Sequence, residues 1–401
     1  MSLKELLGVE PVINGAGTLT RLGGMPLDEE VLDAMAAAGR ENARIEDVQA
    51  AAGKYLADVC GAEAGYVTAG AAAGLTVGAA ACMAGLSPAA MDQLPDTTGL
   101  KDEIIVQRAH VTAYSHALRV SGAKLIDVGY VGYPGQGITW GWQVEAAITE
   151  RTAAIFYSVG SAKGIVELPE LVEIGRRHNV PLIVDAAAAL PPKSNLKYFI
   201  EQGADLVTFS GGKAIGGPQA SGILVGRKDL IESVALQHQD MDVYPETWTW
   251  RSDYIDTNKL PGPPHHGLGR PMKVGKEEIA GLVVALRRFL DADDEKELQR
   301  QRDVLLTIAD HLTDCPARVE MEEPALPGPG YPVLKIYLET SGDTRKAAAD
   351  LVNGLMDNGR PVAVSQGPMW DGAVAVLPTA LKTSDAAVAG QRIAEELDRL
   401  R

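Results

Sequence analysis

A lone lysine, Lys213, sits in the glycine-rich word TFSGGKAIGGPQASG at residues 208–222, directly after an apolar run that reads as a strand. Glycines at a strand's end make a turn. A lysine delivered into that turn and partly buried loses some of its preference for the ammonium form, which suits it to Schiff-base and proton-transfer chemistry. An ordinary glycine loop, or a lysine that pairs with a phosphate without covalent chemistry, fits the same residues, although the word does not match GxxxxGK[ST]. A second residue turns the balance: PLIVDAAAAL ends an apolar strand on Asp185, 28 residues before Lys213, which leaves room for one helix and one strand. Alone, Asp185 reads as a helix cap. With the lysine in place it reads as an acid at the carboxyl edge of a parallel sheet, where open α/β folds bind ligands. A carboxylate there keeps a pyridine nitrogen protonated and makes the ring an electron sink, so the pair points to pyridoxal 5'-phosphate (PLP).

Such a cofactor needs a cradle for its phosphate. Thr68, Gly70, Ala71 and Ala72 precede a long small-residue helix whose N-terminal N–H groups can approach an anion closely, and Ser210 adds a hydroxyl. Close helix packing accounts for the later alanines equally well. After another strand, QRAH brings His110 as the first choice for an aromatic side chain against the ring, with Tyr114 second. Ser158 and Ser161 follow a further strand as weaker candidates for the ring's O3′ side, with surface turn serines as the alternative.

The elements that must position these residues alternate. Strands are expected at 104–107, 124–128, 153–157, 181–185, 206–210 and 222–225, with helices at 168–178 and 195–202, the pattern of βαβ units and a mostly parallel sheet. Beyond residue 270 a long helix is expected at 275–312, then strands at 319–323 and 333–338, a helix at 344–359, a strand at 373–377 and a helix at 384–400. The reading is an α/β fold in three parts: a segment 1–24 packing on the body, a large domain 25–265, and a smaller α+β domain 266–401 with a long linking helix. The boundary is placed in the Pro/Gly/His-rich stretch 260–270, which cannot continue a helix or central strand.

The bulk properties set limits on partners. With 401 residues, one large domain plus a smaller one is expected; 46% hydrophobic and 22% charged residues describe a globular chain. A formal net charge of −16 argues against nucleic acid as the main partner, because phosphate-backbone binding needs clustered Lys and Arg. Three cysteines, Cys60, Cys82 and Cys315, lack CxxC spacing, so neither a disulfide framework nor a metal site is indicated and a cytoplasmic location is expected. No secretory signal is read at the start and no run of about 18 apolar residues follows, so membrane insertion is not expected.

With Lys213, Asp185 and the glycine turn assembled, the chain resembles the selenocysteine synthase-like branch of fold-type-I PLP enzymes, particularly its D-glucosaminate-6-phosphate ammonia-lyase group. The matching words are INGAGTLTRLGG (13–24), GAEAGYVTAGAAAG (61–74), IVDAAAALPP (183–192), SGGKAIGGPQASG (210–222) and GLGRPMKVGKEEI (267–279). The resemblance implies a seven-stranded-type, mostly parallel sheet and a homodimer, or a multiple of dimers, with active sites at the interface. It also implies that His265, His266 and Gly267 reach a neighbour's phosphate site. Many enzymes of this type take the substrate carboxylate with an arginine on a C-terminal strand, but residues 367–378 read GPMWDGAVAVLP and hold none. Either Arg270 or Arg21 meets the carboxylate instead, with Thr20 and Tyr114 as further substrate contacts, or the substrate differs from the group's namesake; Trp248, Trp250, Trp370 and Asp371 are candidates to shape the pocket, or packing residues.

The implied activity is that of an ammonia-lyase or dehydratase. Lys213 would remove the α-proton of a hydroxylated or sugar-derived amino acid, and β-elimination would give a 2-oxo acid and ammonia. Racemisation, epimerisation or aldol cleavage would use the same residues. A selenium transferase acting on seryl-tRNA is the other relative by motif, and the acidic charge stands against it.

Overall fold

The computed structural model describes residues 2–132, 137–160, 162–248, 255, 260–324, 330–340 and 342–400. Seven strands build its central sheet: β1 Ala64–Thr68, β2 Glu103–Gln107, β3 Lys124–Val128, β4 Thr152–Ser158, β5 Leu182–Asp185, β6 Leu206–Ser210 and β7 Gly222–Gly226. Their order is β1-β7-β6-β5-β4-β2-β3. β2 to β6 pair in parallel with their neighbours, and the runs of the inner strands β4 to β6 are nearly all buried, as a sheet covered on both faces requires. β7 alone reverses direction, antiparallel to both β1 and β6. That reversal follows from the loop 211–221, which is too short for a crossover helix and returns the chain as a hairpin.

The local sequence explains the flanking elements. The helix Leu168–His178 begins with Pro169 in its first turn, ends on Asn179 in the left-handed conformation at φ 53°, and buries Leu171, Val172, Ile174 and Gly175 on one face. The helix Ala71–Ala84 is different: it is buried almost all round, and its small residues let it lie close to the sheet. A Cβ at Gly74 would stand 2.6 Å from Thr208 Oγ1. The core between helices and sheet contains Ile104, Val106, Phe156, Ile183, Leu206 and Leu224, all at most 2% exposed. Each such side chain contributes about 1.5–3 kcal/mol of burial energy. Among the described residues no helix is long and apolar enough to cross a membrane.

The chain divides into two compact units, residues 27–287 and residues 1–26 with 288–401. This division differs from the sequence reading at two places. The segment 1–24 belongs to the small unit, because Ile13–Gly15 pairs in parallel with Val362–Val364 and Ile13 is 1% exposed in that core. The boundary lies not at 265/266 but within the helix Lys276–Asp291, since the loop 260–270 stays with the large unit. The expected single helix 275–312 is two, Lys276–Asp291 and Asp294–Asp310: Asp293 leaves the helical conformation and accepts the N–H groups of Glu295 and Lys296, starting a new helix. The small unit is otherwise α+β as expected, with antiparallel strands Ala317–Glu322, Val333–Leu338 and Ala373–Val376 beside the helices Thr344–Asp357 and Ala386–Arg399.

Candidate active site

The register of the sheet brings the sequence-selected residues of the large unit to one edge. Thr68 stands opposite Gly222, and Gly222 opposite Ser210. Two residues before Ser210, Thr208 stands opposite Asp185, and Asp185 opposite Ser158. Five strand ends therefore share one rim, the carboxyl edge at which open α/β sheets hold ligands.

Lys213 rises from the tight loop after β6. The Gly211 N–H donates to the Ser221 carbonyl (2.9 Å), the Gly217 N–H to the Gly211 carbonyl (2.8 Å) and the Gly216 N–H to the Lys213 carbonyl (2.9 Å). Any side chain at Gly211 would strike Ser221, which is why the turn is built of glycine. Burial lowers the Lys213 pKa from the ordinary lysine value, and the charge of Asp185 opposes part of that shift. Asp185 moves the other way: burial raises its pKa, while the Ala187 N–H (3.0 Å from Oδ1) and Lys213 hold it down. Each group thus stabilises the other's charged form and offsets part of the cost of burial, and a cation delivered beside Asp185 would favour its carboxylate further.

The start of the helix Ala71–Ala84 supplies the anion cradle. Gly70, at φ 90°, has open space where a Cβ would be and gives the helix no side-chain cap, so the first N–H groups are left for another acceptor. The Thr68 hydroxyl donates to the Gly70 carbonyl (2.9 Å) and fixes the turn. β7 presses against it, because a Cβ at Gly222 would lie 2.6 Å from the Gly70 carbonyl carbon and 2.8 Å from the Ala71 nitrogen.

Of the two aromatic candidates, His110 is buried at 2% exposure and Tyr114 is 69% exposed. The Ser158 N–H donates to His110 Nδ1 (3.3 Å), and the ring stands edge-on to Tyr157 with centroids 4.8 Å apart. Burial pushes the His110 pKa down to about 4. The imidazole is therefore neutral with its proton on Nε2, a buried donor that finds no acceptor among the described residues.

Other expected residues lie elsewhere. His266 Nε2 accepts the Met241 N–H (2.8 Å), Gly267 packs on the Gln237 backbone, His265 pairs with Asp92 (3.0 Å) and Arg270 with Asp240 (3.1 Å). These four stand in the loop beyond the helix Lys228–Gln237. Thr20 and Arg21 are exposed on the turn Thr20–Leu22 of the small unit. In that unit Trp370 is 78% exposed, with the Arg345 guanidinium 3.7 Å from its ring centroid; Trp248 packs on the core of the large unit. Ser161 and Trp250 fall outside the described residues. Sequence reasoning missed Gly222 as the second wall of the cradle, and also a polar cavity at His238 and Gln239. The only sequence signal for the cavity was the polar triplet QHQ closing an apolar helix.

The donor set fits PLP: a lysine and an acid at one sheet edge, an uncapped helix N-terminus with small residues, and a buried imidazole between them and the next strand. The family model described as L-seryl-tRNA selenium transferase (SelA) matches residues 12–241. The chain belongs to the SelA family. It is 33% identical to a 5'-C-glycyluridine monooxygenase-decarboxylase of Streptomyces sp over 77% of this chain and 71% of that protein. It is 31% identical to the D-glucosaminate-6-phosphate ammonia lyase of Salmonella typhimurium over 72% of this chain and 70% of that one. The solved structure of D-glucosaminate-6-phosphate ammonia-lyase superposes with TM-score 0.78 at 24% identity, covering 100% of this chain and 99% of that one. A serine palmitoyltransferase from S. paucimobilis with bound PLP-myriocin superposes with TM-score 0.56 at 12% identity over 98% and 89%. This SelA-family chain has the fold-type-I fold and is similar to enzymes of the ammonia-lyase kind.

Proposed function

We propose that the chain is a lyase that converts a hydroxylated, sugar-derived amino acid into a 2-oxo acid and ammonia. The observation that carries this is Lys213 at the sheet edge beside Asp185: burial weakens its hold on the ammonium form by more than Asp185 restores, so its Nζ is suited to take a proton from carbon and give it back. When bound, PLP supplies the sink for the electron pair left by the broken α C–H bond. Asp185 would hold the ring nitrogen; Thr68, Gly70, Ala71, Ala72 and Ser210 the phosphate; and Ser158 and His110 the remaining ring face. The proton moves from the α-carbon to Lys213 Nζ, the β C–O bond breaks, and Lys213 Nζ returns that proton to the departing hydroxyl, which leaves as water. The released enamine tautomerises to an imine, and water adds to its C=N bond and expels ammonia, leaving the 2-oxo acid.

Arg270, Arg21, Thr20 and Tyr114 are the side chains proposed for the substrate. A dimer, in which His266 and Gly267 would complete a neighbour's site, fits the same reading. The sugar-derived substrate class is supported by the Salmonella typhimurium relative's name, and the net charge of −16 favours a small molecule over a tRNA.

The test is a screen of D- and L-hydroxyamino acids and amino-sugar acids, following ammonia and 2-oxo acid together. Equal release of both supports the lyase; chirality change without ammonia makes it a racemase. PLP added to the apoprotein should give a visible absorption band that Lys213→Ala lacks. In Asp185→Asn PLP binding should largely survive while turnover falls by at least about a hundredfold.

A further inference from the structure

The ladder between β2 and β4 ends at Val106 and Phe156. Gln107, the last residue of β2 and 1% exposed, continues the link to the next segment with its side chain. Its target is Val166, 3% exposed, in the stretch between β4 and the helix Leu168–His178. The Val166 N–H donates to Gln107 Oε1 (2.6 Å), and Gln107 Nε2 donates to the Val166 carbonyl (2.9 Å). Buried peptide groups must find both an acceptor and a donor, and one primary amide supplies them together.

Further contacts lead from Val166 back to Gln107. Glu167, next in the chain, accepts the Tyr157 hydroxyl at Oε2 (3.4 Å). The Tyr157 ring lies edge-on to His110, and the N–H of the following residue, Ser158, donates to His110 Nδ1 (3.3 Å). His110 closes the short turn Arg108–His110, which begins directly after Gln107. A Cβ at Gly137 would lie 2.7 Å from the Ala109 Cβ and 3.1 Å from the Lys163 carbonyl oxygen, so a third segment wedges against the turn and the stretch before Val166. The one hydrogen bond to the imidazole is long beside the usual ~2.9–3.0 Å, so the ring depends on its neighbours for its orientation.

We propose that Gln107 is a positioning residue: by clamping Val166 it fixes Tyr157 and Ser158 against His110 and so holds the imidazole in place for the cofactor ring. That His110 meets the cofactor rests on the site reading given above; the hold of Gln107 on His110 does not.

Gln107→Met keeps the side-chain length and loses both hydrogen bonds. Gln107→Glu keeps the acceptor for the Val166 N–H, and its second oxygen faces the Val166 carbonyl. Protonated, that oxygen donates as the amide does; ionised, it sets two acceptors against each other. Burial raises such a carboxyl above its ordinary value of about 4.3, and the clamp should open as pH rises through the raised value.

The PLP-loaded protein is treated with diethyl pyrocarbonate, which acylates unprotonated imidazole nitrogens. Mass spectrometry follows His110 beside His238, whose Nε2 is also buried. In Gln107→Met the His110 rate should rise about tenfold, the change in local opening expected when buried hydrogen bonds are lost, with His238 unchanged. Visible circular dichroism of the bound PLP should weaken while its absorption band remains. Compared with the parent at each pH, Gln107→Glu should match the parent below its carboxyl transition and the methionine variant above it. His110 reacting at the parent's rate in both variants, or His110 and His238 accelerating together, would overturn the proposal. Faster His110 labelling with unchanged dichroism would support the clamp and overturn the placement of His110 against PLP. The labelling needs no PLP, so it decides the clamp even in a protein that fails to bind the cofactor. If Gln107→Met does not fold, the pH series of Gln107→Glu decides alone, since that variant keeps one bond at every pH.

Discussion

Gly222→Ala tests the cradle at its tightest point. The added methyl would stand 2.6 Å from the Gly70 carbonyl carbon and 2.8 Å from the Ala71 nitrogen, and both are backbone atoms that cannot swing aside. β7 or the helix start must therefore move. Overpacking of this kind costs about 1–3 kcal/mol of stability. If the phosphate sits on the first N–H groups of that helix, displacing them also removes an anion interaction of up to ~2 kcal/mol, which is about 30-fold in Kd. Gly74→Ala is the matched control: its methyl would meet Thr208 Oγ1, a side-chain atom, one turn deeper in the same helix. PLP affinity measured by absorbance, alongside urea midpoints, separates the two. Gly222→Ala should lose affinity by about one and a half orders of magnitude and Gly74→Ala should not. A Gly222→Ala protein that binds PLP like the parent while its midpoint drops would refute the placement of the phosphate at Ala71.

Two further outcomes concern pH. His110 and His238 are held neutral by burial, with pKa about 4 against 6.5 in the open chain. Between those values the unfolded chain binds more protons, so stability falls as pH drops from 6.5 toward 4, by about 3 kcal/mol per histidine. Urea titrations at pH 7 and 4.5 should show it, and His110→Gln should remove about half of the histidine-dependent loss. Asp102 has a side chain only 1% exposed and pairs with Lys124 (2.9 Å), Arg151 and Thr97, which hold its pKa below 3.8. Its contribution is present above that value and fades as pH falls through the lower folded pKa. Because both cations are more than half exposed, Asp102→Asn should cost about 2 kcal/mol at pH 7, less than a fully buried pair, and less again at pH 2. Equal destabilisation at both pH values would contradict the assignment.

Lys213 and Asp185 were legible from the sequence because Asp185 closes a strand and Lys213 lies in the glycine turn directly after one, and a strand fixes where the chain emerges at its end. The helix Leu168–His178 and the strands Lys124–Val128 and Leu206–Ser210 were readable to the residue for the same local reason. The Asp293 break was missed because a helical period continues on both sides of a capping residue, and the period carries no record of the interruption. What no local pattern contains is pairing. Only the folded chain set Thr68 beside Gly222, turned β7 against its neighbours, and gave the first residues to the small unit through Ile13–Gly15. It alone left His110 with one committed nitrogen and brought His238 to Arg270 across about thirty residues of sequence. Residue types fixed which groups could carry the chemistry; burial and register, which depend on distant segments, decided their protonation and their company.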